Sequence, residues 1–153
     1  MSKKATTADA ELLLKLYDLR REAELRKARN WWLTTFWPES ADDFMKIVSA
    51  MGTQENNWLR QASGYWSMAA SLVLAGTINQ ELFLQPSFSG EMFFIFGKVK
   101  PFLADLRVRT KNPQMFANIE KLITGSKQGR EFLKHVEGQL AARREGMKAA
   151  KAS

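Results

Sequence analysis

Apolar residues recur along most of the chain at intervals of three and four, the spacing that keeps one face of a helix apolar. The clearest series are Leu12, Leu16, Leu19 and Ala23, then Phe44, Ile47, Val48 and Met51, and later Phe116, Ile119, Leu122 and Ile123. Residues 92–96 form a run of five apolar residues, but no partner strand is evident. The pattern predicts an all-α protein, an irregular bundle of five to seven helices with no β-sheet.

Capping and turn residues predict where these helices begin and end. A first helix is expected from about residue 7 to just before Pro38, a second over residues 40–51 and a third over residues 54–75. A short helix through residue 84 and a loop over residues 85–90 follow. Pro101 is expected to kink or split the helix that ends near residue 110. A helix from Asn112-Pro113 to Gly125 and a last helix capped by Ser126 complete the prediction.

No linker or internal repeat divides the chain, so one helical domain is expected over residues 8–140. The length of 153 residues is that of one ordinary domain. Residues 1–7 are predicted to be a flexible, basic N-terminus. The apolar series of the last helix ends at Leu140, so residues 141–153 are predicted to be a basic, Ala-rich C-terminal tail that is frayed or disordered.

The formal net charge of +7 lies mainly in these two tails. Lys3 and Lys4 contribute +2, residues beyond 138 contribute +3, and only +2 is left for the region between them. Such a distribution favours solubility and weak attraction to anions. It does not by itself predict a binding groove for nucleic acid.

The residue types that most enzymes and metal sites need are scarce. The absence of cysteine excludes disulfides, thiol nucleophiles and cysteine-ligated metals. His135 is the only histidine, and with Glu131 it supplies too few ligands for a di-iron bundle. Neither a nucleophile elbow nor a phosphate-binding loop is present. We therefore expect no catalytic set, no metal and no cofactor, and a protein that is not an enzyme.

The hydropathy pattern predicts neither a secretory signal nor a membrane span. The first ten residues have a basic start without the apolar stretch that a signal peptide needs, so a cytoplasmic location is expected. The longest stretch without a formal charge, residues 61–80, is interrupted by Gly, Ser, Asn and Gln. It is predicted to be a buried helix and not a transmembrane segment.

Residues 31–37, here called the aromatic segment, place four large aromatic side chains directly after two arginines. The set consists of Arg26, Arg29, Trp31, Trp32, Phe36 and Trp37. Aromatic side chains bury large apolar areas, and Trp and Arg are frequent anchors of protein interfaces. We expect this set to form an interaction surface for a second copy or for another protein. Packing within the core of the chain is the alternative that the sequence leaves open.

A second group of polar residues lies on the predicted third helix. Arg60, Gln61, Tyr65 and Trp66 are close together along a helix that is otherwise mainly apolar. They are interpreted as a polar pocket that orients a ligand. The alternative is that their polar groups are satisfied by partners at the domain surface or by a buried hydrogen-bond network.

The first functional hypothesis is a non-catalytic interaction or scaffold protein that forms a homo-oligomer. Two alternatives stay open. Nucleic acid would be bound by the basic tails and by Arg20, Arg21, Arg26, Lys27 and Arg29, because such side chains hold phosphates. A small-molecule regulator would instead use an apolar cavity beneath Trp58, Trp66 and Phe94.

Two stretches carry a resemblance to a known kind of domain. They are Leu16-Tyr-Asp-Leu-Arg20-Arg21 through Arg29-Asn-Trp-Trp, and Gly64 to Val73 followed by Gly76-Thr-Ile78. Over roughly residues 12–84 the chain resembles uncharacterised bacterial helical domains of unknown function. The resemblance implies a helical fold and brings no catalytic residues with it.

Overall fold

The computed structural model describes residues 3–153, and the regular structure in this range is entirely helical. The helices are α1 (Thr7–Leu19), α2 (Ala23–Asn30), α3 (Ala41–Ser49), α4 (Gln54–Leu74), α5 (Gln80–Phe83), α6 (Pro86–Val99), α7 (Leu103–Thr110), α8 (Ala117–Thr124) and α9 (Lys127–Ala152). A π-helical turn (Trp31–Thr35) follows α2, and a 3₁₀ turn (Lys100–Phe102) joins α6 to α7. The predicted all-α class without a β-sheet is confirmed for the described residues.

The helices are shorter and more numerous than expected because the predicted first helix is divided after Leu19. The carboxylate of Glu22 accepts hydrogen bonds from the backbone N–H groups of Glu24 and Leu25, at 3.1 and 2.9 Å. These bonds cap the start of α2 and lower the pKa of Glu22. A side chain that caps a helix in this way favours a break in the backbone over a continuous helix.

Other boundaries also differ from the prediction. The expected loop at residues 85–90 is helical from Pro86 onward, because Pro86 occupies the first position of α6, where the fixed φ of proline suits a helix. The helix expected from residue 113 begins only at Ala117. Lys111 and Phe116 have positive φ angles of 54° and 57°, so the chain between them is a turn. The split at Pro101 is as predicted.

The centre of the fold is α4, and α1 and α2 together run antiparallel along it. The hydroxyl of Tyr65 in α4 donates to the carbonyl of Leu16 in α1. The ring of Trp31, after α2, lies 6.3 Å from that of Trp58 near the start of α4. At the opposite end, Asp9 accepts a hydrogen bond of 2.8 Å from the backbone of Asn79, beyond the end of α4. Helices α3 and α8 also pack against α4.

The last helix, α9, has an inner part that closes the core and an outer part that extends from it. Leu133, Val136 and Leu140 are buried against α6 and α8. A Cβ atom at Gly97 would lie 2.7 Å from Cδ1 of Leu140, and one at Gly129 would lie 2.0 Å from the carbonyl oxygen of Ile123. The approach of a backbone carbonyl at Gly129 requires glycine, so the start of α9 packs closely against the end of α8.

The predicted tails differ in part from what the structure shows. Residues 141–153 are not irregular, since α9 continues through them to Ala152. Residue 140 is therefore the last buried apolar position of this helix and not its end. Residues 1 and 2 of the predicted N-terminal tail lie outside the described residues, and Thr6 caps α1 by accepting a hydrogen bond from Asp9.

Candidate functional site

The aromatic segment lies mainly in the core of the chain, which corrects the predicted interaction surface. Trp31, Trp32 and Phe36 are only 6%, 0% and 8% exposed. The rings of Trp31 and Phe36 stack with centroids 4.5 Å apart, and Trp32 meets Phe36 edge-on at 5.0 Å. Because these three side chains are already covered by the same chain, they are not available for a partner. Their burial agrees with the alternative stated above, packing within the core of the chain.

A fully buried lysine explains how the aromatic segment is held. The amine of Lys98, on α6, donates to the carbonyl of Trp32 and, at 2.7 Å, to the carbonyl of Phe36. Both carbonyls belong to the π-helical turn and its end, where the backbone lacks its usual α-helical partners. The lysine thus satisfies two buried acceptors and fixes the turn.

Aromatic rings and two arginines surround the same amine. Lys98 Nζ lies 3.8 Å from the ring centroid of Trp37 and 4.8 Å from that of Phe94. The guanidinium groups of Arg144 and Arg143, from α9, lie over those two rings at 5.6 and 5.2 Å. Within residues 3–153 no carboxylate forms a salt bridge with Lys98. Burial first, and then the charges of Arg144 and Arg143, lower the pKa of Lys98 to about 7.

A lysine with a pKa near neutrality is a pattern found at Schiff-base sites, because the neutral amine is nucleophilic. Here the residue is fully buried, and the two hydrogen bonds that its amine makes within the described residues go to backbone carbonyls. The arrangement therefore suits a structural clamp on the turn better than a nucleophile. Sequence reasoning missed Lys98, although a lone lysine within the apolar run Met92 to Val99 is itself a signal of a buried, satisfied amine.

The two arginines of the predicted surface have different environments. Arg29 binds the carboxylate of Glu91 with two nitrogens, Nη2 at 2.6 Å and Nε at 2.8 Å, and this pairing raises the pKa of Arg29. Its third nitrogen donates to the carbonyl of Arg20. Arg26 is exposed and bonds only to the carbonyl of Arg21. Arg29 thus connects the break between α1 and α2 to α6.

Several of the basic residues predicted to bind nucleic acid also have partners within the chain. Arg20 is buried, donates to the carbonyl of Phe88 at 3.0 Å and lies over the ring of Tyr17. Lys27 pairs with Glu24. Of the five basic residues considered, only Arg21 and Arg26 are exposed without a carboxylate partner in the described chain.

The structure does not bring the predicted polar pocket together. Arg60 and Gln61 are exposed, and Arg60 donates to the side chain of Asn56 at 3.1 Å. Tyr65 and Trp66 are buried and border an internal space of only about 10 Å³. Burial raises the pKa of Tyr65 to about 12. Tyr65 and Trp66 therefore belong to the core, whereas Arg60 and Gln61 lie on the surface, so the four residues share neither a pocket nor a buried network.

The three aromatic residues considered for an apolar cavity lie in different parts of the core. Trp58 packs near Trp31, Trp66 packs against Phe83 with centroids 6.5 Å apart, and Phe94 meets Trp37 edge-on at 5.7 Å. Each ring therefore contributes to a different aromatic contact, and the three do not converge on one space.

Exposed apolar side chains are concentrated on α1 and α4. Of the eight large hydrophobic residues exposed in the described chain, six lie on these two helices. They are Leu12, Leu14, Tyr17, Leu19, Met68 and Leu72. Only Leu13 and Leu16 of α1 are buried hydrophobic residues. The buried face of α1 is therefore rotated from the predicted series Leu12, Leu16, Leu19 and Ala23, of which only Leu16 is covered.

Leu12, Leu19, Met68 and Leu72 are here called the α1–α4 surface. Helical geometry places Leu12 and Leu19 on one flank of α1, because seven residues correspond to almost two full turns. On α4, Met68 and Leu72 are one turn apart and are 43% and 36% exposed. Because Leu16 is anchored to Tyr65 and α1 runs antiparallel to α4, the two apolar flanks belong to neighbouring helices.

The described residues show neither a metal-binding cluster nor a membrane-spanning helix. Residues 3–153 contain no group of three or more histidine, aspartate or glutamate side chains placed to hold a metal ion. His135 stacks on Phe132 with ring centroids 6.1 Å apart. In the same range, none of the helices combines the length and the apolar character needed to cross a bilayer.

Comparison with known proteins identifies a family but no function. A family model described as a domain of unknown function (DUF4760) matches residues 5–126. No match was found among the curated proteins or among the solved structures. The matched range contains the α1–α4 surface, the aromatic segment and Lys98, and it stops before α9. The predicted resemblance to a domain of unknown function is confirmed, and the chain belongs to the family DUF4760.

Proposed function

We propose that this protein is a non-catalytic helical interaction module that self-associates through the α1–α4 surface. The observation that carries the proposal is the environment of α1, which exposes four of its six large hydrophobic side chains. A helix that is apolar on most sides is normally covered on most sides. A concentration of exposed apolar side chains on a soluble domain commonly marks a contact site.

The charge pattern of α4 supports the same surface. No charged residue occurs between Arg60 and Glu81, and the exposed positions of α4 in this stretch are Gln61, Gly64, Met68 and Leu72. A solvated helix face usually carries charges, whereas the centre of an interface is depleted of them. The uncharged stretch that predicted a buried helix is thus buried on one side only.

The non-catalytic part of the proposal rests on the chemistry of Lys98. Its pKa falls to about 7, and its amine is enclosed and bound to carbonyls. The proposal keeps the cytoplasmic location expected from the sequence. Its alternative is that a different protein, and not a second copy, binds the α1–α4 surface.

Light scattering on a size-exclusion column tests the proposal. We expect the unaltered protein to elute as a dimer and Met68→Glu to elute as a folded monomer, because a carboxylate there would be desolvated in the contact. Val108→Glu is the matched control, since Val108 is an exposed apolar residue on α7, outside the α1–α4 surface. A monomeric parent protein at high concentration, or equal dimers in all three samples, would overturn the assignment.

Absorbance at 260 nm on the same peak tests nucleic-acid binding. Excess absorbance that disappears as salt rises would favour a nucleic-acid partner, because phosphate contacts release counterions. The structure gives this alternative less support than the sequence did, since Arg20 and Arg29 bind groups within the chain.

A further inference from the structure

We propose that two copies of the chain pair α4 against α4 in antiparallel orientation about a two-fold axis at Met68, with Leu72 of each copy seated over Gly64 of the other. This inference rests on the self-association proposed above and specifies its geometry. It identifies the second copy as the occupant of the α1–α4 surface.

The spacing along α4 supports the two-fold axis. From residue 61 onward, the exposed residues of α4 and of its C-cap form one line at helical intervals: Gln61, Gly64, Met68, Leu72 and Ala75. Gly64 and Leu72 are equally far from Met68, and so are Gln61 and Ala75. In an isologous contact, a residue that lies before the axis on one copy meets the residue that lies equally far after the axis on the other copy. An antiparallel pair about Met68 therefore places a large side chain opposite a glycine on both sides.

Gly64 provides the space that the large side chain needs. A Cβ atom at this position would have no heavy atom within 4 Å, so the surface there is open. The glycine has no positive φ and no close neighbour that would explain it within the single chain. It also costs helix stability, by about 1 kcal/mol relative to alanine. This opening forms a notch that fits the Leu72 side chain of the second copy.

Charges on α1 agree with the antiparallel orientation. Glu11 and Lys15 are exposed and one turn apart, and neither forms a salt bridge within residues 3–153. The contact between Tyr65 and Leu16 places this part of α1 beside the middle of α4. Antiparallel pairing brings Lys15 of one copy within about one turn of Glu11 of the other.

Gly64→Leu tests the notch without disturbing the single chain. The added side chain points into open space, and leucine is a better helix former than glycine, so the monomer should keep its fold. We expect the dimer dissociation constant to rise at least about tenfold, because an overfilled contact loses its packing. Gly146→Leu is the matched control, since that glycine is also open but lies on α9.

Cysteine cross-linking tests the orientation, and the chain is suited to it because it contains no cysteine of its own. Met68→Cys should form a disulfide-linked dimer on mild oxidation, since both copies of this residue lie at the axis. Ala75→Cys alone should not, because its two copies are separated by about 21 Å along the helices. A mixture of Gln61→Cys and Ala75→Cys should cross-link as a heterodimer.

The outcomes separate the two proposals. A monomeric parent protein overturns self-association itself. A dimer that survives Gly64→Leu unchanged, or that cross-links through Ala75→Cys alone, overturns this geometry and leaves self-association standing.

Discussion

The aromatic segment and α1 show opposite relations between composition and position. The aromatic segment has the residue types of an interface, yet Trp31, Trp32 and Phe36 are buried in the core. Helix α1 has the leucines of a core, yet Leu12, Leu14 and Leu19 are exposed. The difference arises because the aromatic segment has an internal partner, the Lys98 amine, whereas α1 contacts its own chain along only one face. Residue type alone therefore does not separate core from contact surface.

The largest effect is expected for Trp32→Ala, which removes a fully buried ring. The free energy of unfolding should fall by about 3–5 kcal/mol, because a large cavity is left in the core. Urea denaturation followed by circular dichroism measures it. If Trp32→Ala instead abolished self-association with unchanged stability, the aromatic segment would be an interface after all.

Lys98→Met is expected to change the pH dependence of stability. The pKa of Lys98 is about 7 in the folded protein against an ordinary value of 10.5, so between these values the unfolded chain binds one more proton. The stability of the parent protein should therefore gain about 1.4 kcal/mol per pH unit from Lys98 as pH rises from about 7 to about 10. In Lys98→Met this contribution should be absent.

Denaturation midpoints at several pH values provide the test. The substitution also leaves the carbonyls of Trp32 and Phe36 without their donor, but that loss is the same at every pH. Lys100→Met is the control, since Lys100 is exposed two residues away. Equal slopes for the parent protein and for Lys98→Met would show that the amine is not held in a desolvated site.

A smaller effect is expected for Glu91→Gln, which removes the charge that pairs with Arg29. Both side chains are about one fifth exposed, so the loss should lie between those of a surface pair and of a buried pair, about 1–3 kcal/mol. Glu24→Gln breaks the exposed pair with Lys27 and should cost less than about 0.5 kcal/mol. Equal losses in thermal denaturation of the two variants would contradict this assignment.

The smallest effect on the fold is expected for Leu19→Ala. Leu16 and Leu19 are one turn apart on α1, but only Leu16 is buried. Leu16→Ala should lower the free energy of unfolding by about 2–5 kcal/mol, and Leu19→Ala by less than about 0.5 kcal/mol. Leu19→Ala should nevertheless weaken self-association, which analytical ultracentrifugation measures. A dimer unaffected by Leu19→Ala would remove α1 from the α1–α4 surface.

Much of the fold followed from the spacing of apolar residues and from capping residues. Ser126 caps α9 as predicted, and Ser40 and Thr53 cap α3 and α4 close to the expected starts of those helices. The break after Leu19 was missed because the carboxylate of Glu22 provides the cap, and glutamate is not among the preferred N-cap residues. The end of α9 was missed because Ala, Arg and Lys sustain a helix without any buried face.

The site was less predictable because burial depends on long-range contacts. The carbonyls that bind Lys98 lie 62 and 66 residues away along the chain, and no local pattern relates them to the amine. The exposed leucines of α1 carried a local signal, since apolar residues occur on more than one side of that helix. The prediction selected one apolar series of α1, and the fold buries a neighbouring one.

The two parts of α9 should also differ in the unfolding event that exposes their amides to hydrogen exchange. Amides near Leu133 and Leu140 are held by a packed core and should exchange their hydrogens with solvent only when much of the protein unfolds. Amides beyond residue 144 belong to a helix with no buried side chain, so local fraying should suffice for their exchange. One continuous helix would then span two cooperative units, and protection from exchange would fall along it within about three turns.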